Sequence, residues 1–169
     1  MRYMLIDRVV DYRSGQQIRG VKNVAMSEDF LEYHFPRNPV MPGVLLLEAM
    51  VQLAGWLQCA STDFTQWFVL ESVHKCRFYG FALPGDQVEI VVDVLPDPAD
   101  PDKDQKSKDQ KPEDQKPEDR RLLFQATGTV LGQRKVIAEF SGIAIPLTEI
   151  ADRDEQIHLF GVMRRELIL

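Results

Sequence analysis

A carboxylate among apolar neighbours is the first chemical signal in the sequence. Glu48 is flanked by Leu45, Leu46, Leu47, Ala49, Met50 and Val51. Burying a carboxylate is costly unless it is paired or protonated, and burial favours the neutral form that a proton donor needs. The plainer alternative is a carboxylate on the one wet stripe of its helix. Gln52 follows one helical turn later and points the same way. Ahead of both runs His34-Phe-Pro-Arg-Asn-Pro-Val-Met-Pro-Gly43, with prolines at 36, 39 and 42. Proline fixes φ and disfavours helix at the residue before it. The segment is therefore expected to be stiff and extended, with Phe35, Val40 and Met41 packed and His34 held in place. It leads into a helix start at Pro42 and Gly43, where unpaired N–H groups stabilise negative charge.

An imidazole, a buried carboxyl and an anion-stabilising helix terminus suit proton abstraction beside a thioester carbonyl. His34 would remove the α-proton, and the Gly43 N–H would hold the developing enolate oxygen. Glu48 would protonate the leaving β-hydroxyl. The sum is loss of water from a 3-hydroxyacyl thioester. Phe35, Pro42, Val44 and Gln52 would support the site or line a tunnel for the acyl chain. This chemistry needs no cofactor and no metal.

These residues need a scaffold, and the hydrophobic pattern supplies one. Residues 44–60 are apolar nearly all round, so they predict a long buried helix. Strands are predicted at 18–26, 66–78, 87–95 and 122–130, and at 135–145 with Pro146 as terminator. Val88, Ile90, Val92 and Val94 alternate, as do Leu122, Phe124, Ala126, Gly128 and Val130, the period of half-buried strands. Residues 131–134 read as a tight turn. Strand, buried helix and four further antiparallel strands give an α+β fold, one sheet wrapped around one helix. Residues 1–148 form that domain. Residues 149–169 are a helical extension, with Ile157, Phe160, Met163 and Leu167 at helical spacing, docking on the chain's own body or dimer.

The domain is interrupted at 97–119. That stretch has no aromatic and no branched aliphatic residue and repeats Asp-Gln-Lys-Pro-Glu. It cannot bury enough surface to offset its ordering entropy, so it reads as a disordered insertion at a hairpin tip. It holds nine acids and five bases, −4 of the chain's net charge of −6. Nothing forms the basic stripe that nucleic acid binding requires. No membrane-spanning helix is expected, because no apolar run approaches ~18 residues. Asp7 and Arg8 interrupt the apolar stretch a signal peptide needs, which points to the cytoplasm. Cys59 and Cys76 read as reduced thiols, and His74 and His158 as packing or surface residues.

The stretch His34-Phe35-Pro36, Pro39-Val40-Met41-Pro42-Gly43-Val44-Leu45, Glu48-Ala49 and Gln52 resembles the signature of the 3-hydroxyacyl-acyl-carrier-protein dehydratases of fatty acid synthesis. Leu5-Ile6-Asp7-Arg8-Val9, Val21-Lys22-Asn23-Val24, Arg77-Phe78 and Pro84-Gly85-Asp86-Gln87 extend it over roughly residues 4–147, insertion excluded. The resemblance implies a hot-dog fold and a homodimer with a continuous sheet, which can assemble into a trimer of dimers. It implies sites at the dimer interface, with the His and Glu from opposite subunits, and His34 and Glu48 as the catalytic pair. The substrate would be a thioester of acyl carrier protein or coenzyme A. A sister family of dehydratase-isomerases has Asp at position 48, so Glu48 points to simple dehydration. Three departures stand out. Tyr33 and Arg37 replace glycines beside His-Phe-Pro, and Gly80-Phe81 replaces a basic-Pro pair. A thioesterase, or a weakly catalytic acyl-binding subunit, are the rival readings.

Overall fold

Alternating apolar residues bury one face of a strand, and a long apolar helix fills the concavity such strands create. The structure, a computed structural model, describes residues 3–96 and 121–166. The insertion expected to be disordered, 97–119, and Leu167 lie outside the described residues. Six strands form one antiparallel sheet in the order β1-β2-β4-β5-β6-β3. They are β1 (Arg8–Arg13), β2 (Gln17–Asn23), β3 (Gln66–Phe78), β4 (Gln87–Leu95), β5 (Leu122–Val130) and β6 (Gln133–Pro146). Their concave side holds the helix α2 (Gly43–Ser61), which follows the four-residue helix α1 (Phe30–Tyr33). The chain has the α+β hot-dog architecture.

Two expectations about strands need correction. Residues 8–13, unassigned from the sequence, form β1, which pairs with β2. Their pattern is blurred because only Val9 is fully buried on this edge strand. The strand expected at 18–26 ends at Asn23, where the backbone leaves the sheet for α1. The others match closely. Val88, Ile90, Val92, Phe124, Ala126, Val136, Ala138 and Phe140 are buried in one core with Leu46, Met50, Leu53, Ala54 and Trp56 of α2. Leu95 pairs with Leu123, so β4 and β5 stay in register up to the insertion. β5 and β6 are joined by Leu131 and Gly132, both at positive φ, the geometry that suits the twist of a two-residue hairpin.

The helix α3 (Arg153–Arg164) is capped by Asp152, whose side chain accepts from the Glu155 N–H. Its Phe160 stacks on Trp56 and meets Tyr12 and Phe64 edge-on. Its buried residues are Gln156, Phe160 and Met163. Ile157, expected in the buried stripe, is instead exposed, because the helix is turned so that Gln156 faces the body.

The helix α2 also departs from expectation. Val44 is 70% exposed, Glu48 is exposed, and Leu47 and Val51 are half-buried. The sheet covers the opposite side, so an apolar stripe is left open in the single chain. By length and composition α2 would also pass as a membrane span, with a mean hydropathy of 1.4. That differs from the expectation of no such run. More than half of this span is buried inside the sheet, as in a core helix.

Candidate active site

The stretch before α2 folds back on itself and is not extended as expected. The Phe35 carbonyl accepts from the Asn38 N–H at 2.9 Å, closing a turn, and the Val40 N–H donates to the His34 carbonyl at 2.9 Å. The His34–Phe35 peptide is cis. The turn brings the Val40 carbonyl to 3.0 Å from His34 Nδ1. A carbonyl only accepts, so Nδ1 carries the hydrogen and Nε2 of the neutral ring keeps its lone pair. The ring is held in the tautomer a base requires. Val40 and Met41 are buried as expected, whereas Phe35 is 54% exposed, because the turn lifts it off the body.

Pro42 is the N-cap of α2 and Gly43 its first residue. Proline thus stands one position ahead of the place expected for it. The Leu45 and Leu46 N–H groups donate to the Pro42 carbonyl. Among the described residues the Gly43 and Val44 N–H groups find no acceptor, so they are available to an oxyanion. A side chain at Gly43 would collide with Phe78, whose ring atoms lie 2.8 Å from the position of a Cβ. Only glycine lets β3 approach the helix start this closely.

Glu48 is exposed in the single chain, which corrects the expectation of a buried carboxyl. It sits on the uncovered stripe of α2. Its Oε1 accepts from Gln52 Nε2 at 2.9 Å. Gln52 is buried and fixed from its other side: Nε2 also donates to the Tyr3 carbonyl, and Oε1 accepts from the Leu5 N–H, both at 2.9 Å. A backbone N–H can only donate and a carbonyl only accept, so the amide has one possible orientation. It must present its N–H to Glu48, leaving Oε2 as the oxygen free to carry a proton.

The amino-terminal strap that fixes Gln52 is itself anchored. Lys22, 3% exposed, forms an ion pair with Glu28 and lies 3.9 Å from Asp7. Asp7 accepts from the Asn23 N–H at 2.6 Å, and its own N–H donates to the Val21 carbonyl. Sequence reasoning used Asp7 as a break in an apolar stretch and named Asp7 and Lys22 within a resemblance, but gave neither a role in the site. Their role escaped it because it depends on contacts across the fold. No hydrogen bond or ion pair joins His34 to Glu48 among the described residues.

Both cysteines are free. Burial pushes the Cys59 thiol up to about 12 against the weaker pull of the Arg153 guanidinium, and burial also raises Cys76. Neither is poised as a nucleophile. His74 Nε2 lies 2.7 Å from Ser141 Oγ, a packing role. Trp56 is fully buried, and Trp67 is half-buried against it.

The chain is similar to known proteins in both sequence and fold. The FabA-like domain model matches residues 1–99. A 3-hydroxyacyl-acyl-carrier-protein dehydratase FabZ of Nitratidesulfovibrio vulgaris is 44% identical over 91 residues, 52% of this chain and 59% of that protein. The protein of the same name from Shewanella sediminis is 42% identical over 98 residues, 55% of this chain and 63% of that one. The chain thus matches about three-fifths of the length of these relatives. Among solved structures, a Streptococcus mutans protein bound to acetyl-CoA superposes with a TM-score of 0.56 at 15% identity, covering 82% of this chain and 88% of that one. A hot-dog-like protein from Thermanaerovibrio acidaminovorans gives 0.55 at 14%, covering 88% and 92%. These two likenesses establish the fold. The family match spans more than half of the chain and contains His34, Gly43, Glu48 and Gln52, so the chain belongs to the FabA-like domain family.

Proposed function

We propose that the chain is a dehydratase that removes water from a 3-hydroxyacyl thioester to give the trans-2-enoyl thioester. The observation that carries this reading is the constraint on Gln52, which aims a carboxyl at solvent-accessible space on the helix that also offers free N–H groups. His34 Nε2 takes the α-proton as the thioester oxygen is held by the Gly43 N–H. The electron pair forms the α,β double bond as the β-carbon–oxygen bond breaks. Glu48 Oε2 gives its proton to the departing hydroxyl, which leaves as water. Return of the proton from the imidazolium to the carboxylate, through water, resets the site.

The site we infer is shared between two copies. The open stripe of α2 with Val44, Leu47 and Val51, and the absence of a His34–Glu48 contact within one chain, support a homodimer in which each site takes His34 from one subunit and Glu48 from the other. Assembly into a trimer of dimers is compatible with it. The cytoplasm is the location that belongs to this reading.

The thioester's carrier, in this proposal, is acidic acyl carrier protein, with coenzyme A as the simpler alternative. Arg77 and Arg134 both stand over the Tyr79 ring, at 5.4 and 5.7 Å from its centre. Gly80 stands where the dehydratase pattern has a basic residue. Lys135 fills the space this leaves, with Nζ 3.6 Å from the position of a Cβ. A positive corner is thus supplied from β6, beside the Phe78 that covers Gly43. Complementary charge of this kind speeds encounter and is screened by salt.

Incubating the protein with a 3-hydroxyacyl thioester tests the reading. An enoyl product supports it. Release of free thiol would make the chain a thioesterase, and binding without turnover an acyl-binding subunit. Arg134→Glu with Lys135→Glu should raise KM for the carrier-linked substrate about tenfold at low salt, and much less for a short thioester without a carrier. Equal effects on both would overturn the assignment of the carrier.

A further inference from the structure

The outer face of the sheet, across from α2, carries a cavity of about 240 Å³ near its β1 edge. Ile18, Gly20 and Ile90 turn inward, Gly20 onto Leu53 of α2, so Arg19, Val21 and Glu89 between and beside them face outward. Arg8 pairs with Val21 in register and faces the same way. Val21 floors the cavity, for it is buried yet stands apart from the core around α2. Three arginines from separate elements line the walls: Arg8 of β1, Arg19 of β2 and Arg165 at the end of α3. Among the described residues, none of these three side chains has an ion pair or a hydrogen bond. Asp11 stands opposite Arg19 in register, but its Oδ1 accepts from the Tyr12 N–H instead. Arg165 has a left-handed backbone, with φ at 57°, a conformation that any side chain disfavours. Two carboxylates share the walls. Asp7 is already engaged by the Asn23 N–H and by Lys22, which leaves Glu89 alone against three cations.

We propose that this cavity binds the phosphate group of a small phosphate-bearing molecule, through Arg8, Arg19 and Arg165. Like charges gathered without partners repel one another, and an anion among them offsets that repulsion. A guanidinium donates in a planar fork that matches phosphate oxygens, and phosphate offers enough acceptors for several such forks. Its charge of about −1.5 to −2 at pH 7 answers several cations at once, which a single carboxylate does not. The volume falls below the roughly 300–1,000 Å³ of sites for drug-sized ligands, so the ligand is compact. The site is separate from His34 and Glu48, which belong to the other side of the sheet, and it does not depend on the dehydratase reading. Asp7 joins the two regions, because it lines this cavity and also anchors the strap behind Gln52.

The test uses the full chain, with calorimetric titration of inorganic phosphate, glycerol 3-phosphate and malonate at constant ionic strength, since salt alone screens exposed charges. Phosphate should bind and should raise the melting temperature above that in chloride. Tighter binding of the free ion or of glycerol 3-phosphate identifies the source of the phosphate group, and either result upholds the site. Arg19→Gln and Arg165→Gly should each weaken phosphate binding about tenfold, the loss of one charge-assisted contact. Arg165→Gly also separates binding from folding. Glycine is the residue that a left-handed position at a helix end favours, so this variant should melt no lower than wild-type in chloride while losing the gain in phosphate. It carries the test alone if Arg19→Gln does not fold. Glu89→Gln should tighten phosphate binding about threefold by removing the opposing charge. No binding of either phosphate by the wild-type would overturn the proposal, as would arginine variants that bind phosphate as wild-type does. Malonate bound as tightly as phosphate would overturn the assignment of the ligand.

Discussion

His34 and Glu48 are held in opposite ways. His34 is fixed by its own neighbourhood, since the turn at 35–38 returns Val40 to its ring. Glu48 is fixed at a distance, through Gln52, by Tyr3 and Leu5, more than forty residues earlier in the chain. The strap carrying those two residues depends in turn on Lys22 and Asp7. Local support is cheap in entropy because few residues must be ordered together, whereas remote support exists only once the whole domain has folded. His34 should therefore be insensitive to changes elsewhere in the fold, and Glu48 sensitive to many.

The largest effects should come from the two groups themselves. His34→Ala and Glu48→Gln should each lower turnover by about 10²–10⁴ with the fold intact, as checked by circular dichroism and single-turnover assays. Near wild-type dehydration by either variant would refute the mechanism. Mixing the two variants should restore activity, because a mixed dimer contains one site with both native residues. No recovery after verified subunit exchange would put His34 and Glu48 of one site in the same subunit.

A smaller loss isolates the remote support. Gln52→Leu keeps the size of the side chain and removes the N–H presented to Glu48, and a small displacement of a catalytic group costs up to about 10²-fold in rate. The loss should fall on kcat more than on KM. A change confined to thermal stability would show that Gln52 is only a packing residue. Lys22→Met acts one step further out. It removes the ion pair under the strap and should lower stability by about 1–2 kcal/mol, with a mild loss of kcat, measured by urea unfolding and by initial rates. An unaffected kcat would uncouple the strap from the carboxyl.

The smallest effect is expected from the insertion. Replacing residues 97–119 by a short Asn-Gly turn should leave turnover nearly unchanged, because Leu95 and Leu123 are already paired. It should stabilise the domain by about 0.6 kcal/mol for each halving of loop length. A marked drop in melting temperature would assign these residues a structural part.

The same division explains what could be read in advance. Strands β4, β5 and β6 were legible because periodicity is a local signal and one face of each is buried, and the helix α2 because its apolar run is long, although the stripe left open on it was not. β1 was not, because an edge strand with a single buried residue shows no period. In the site, His34, Gly43, Glu48 and Gln52 stood out by type and spacing. The hold of Val40 on the imidazole was hidden, since prolines at 36 and 39 suggest extension as readily as a turn. The Gln52 clamp was hidden too, as it uses backbone atoms of Tyr3 and Leu5, which carry no mark in a sequence. The exposure of Glu48 reflects the stripe of α2 that the sheet leaves uncovered, a property of the topology and not of any residue.

The clamp on Gln52 has a practical side for anyone producing this protein. Its two fastening points, the Tyr3 carbonyl and the Leu5 N–H, are main-chain atoms of the strap ahead of β1. A bulky fusion joined directly ahead of Tyr3 would pull on the strap that aims the carboxyl. Preparations carrying one should be cleaved, or spaced by a flexible linker, before low activity is ascribed to the chain itself.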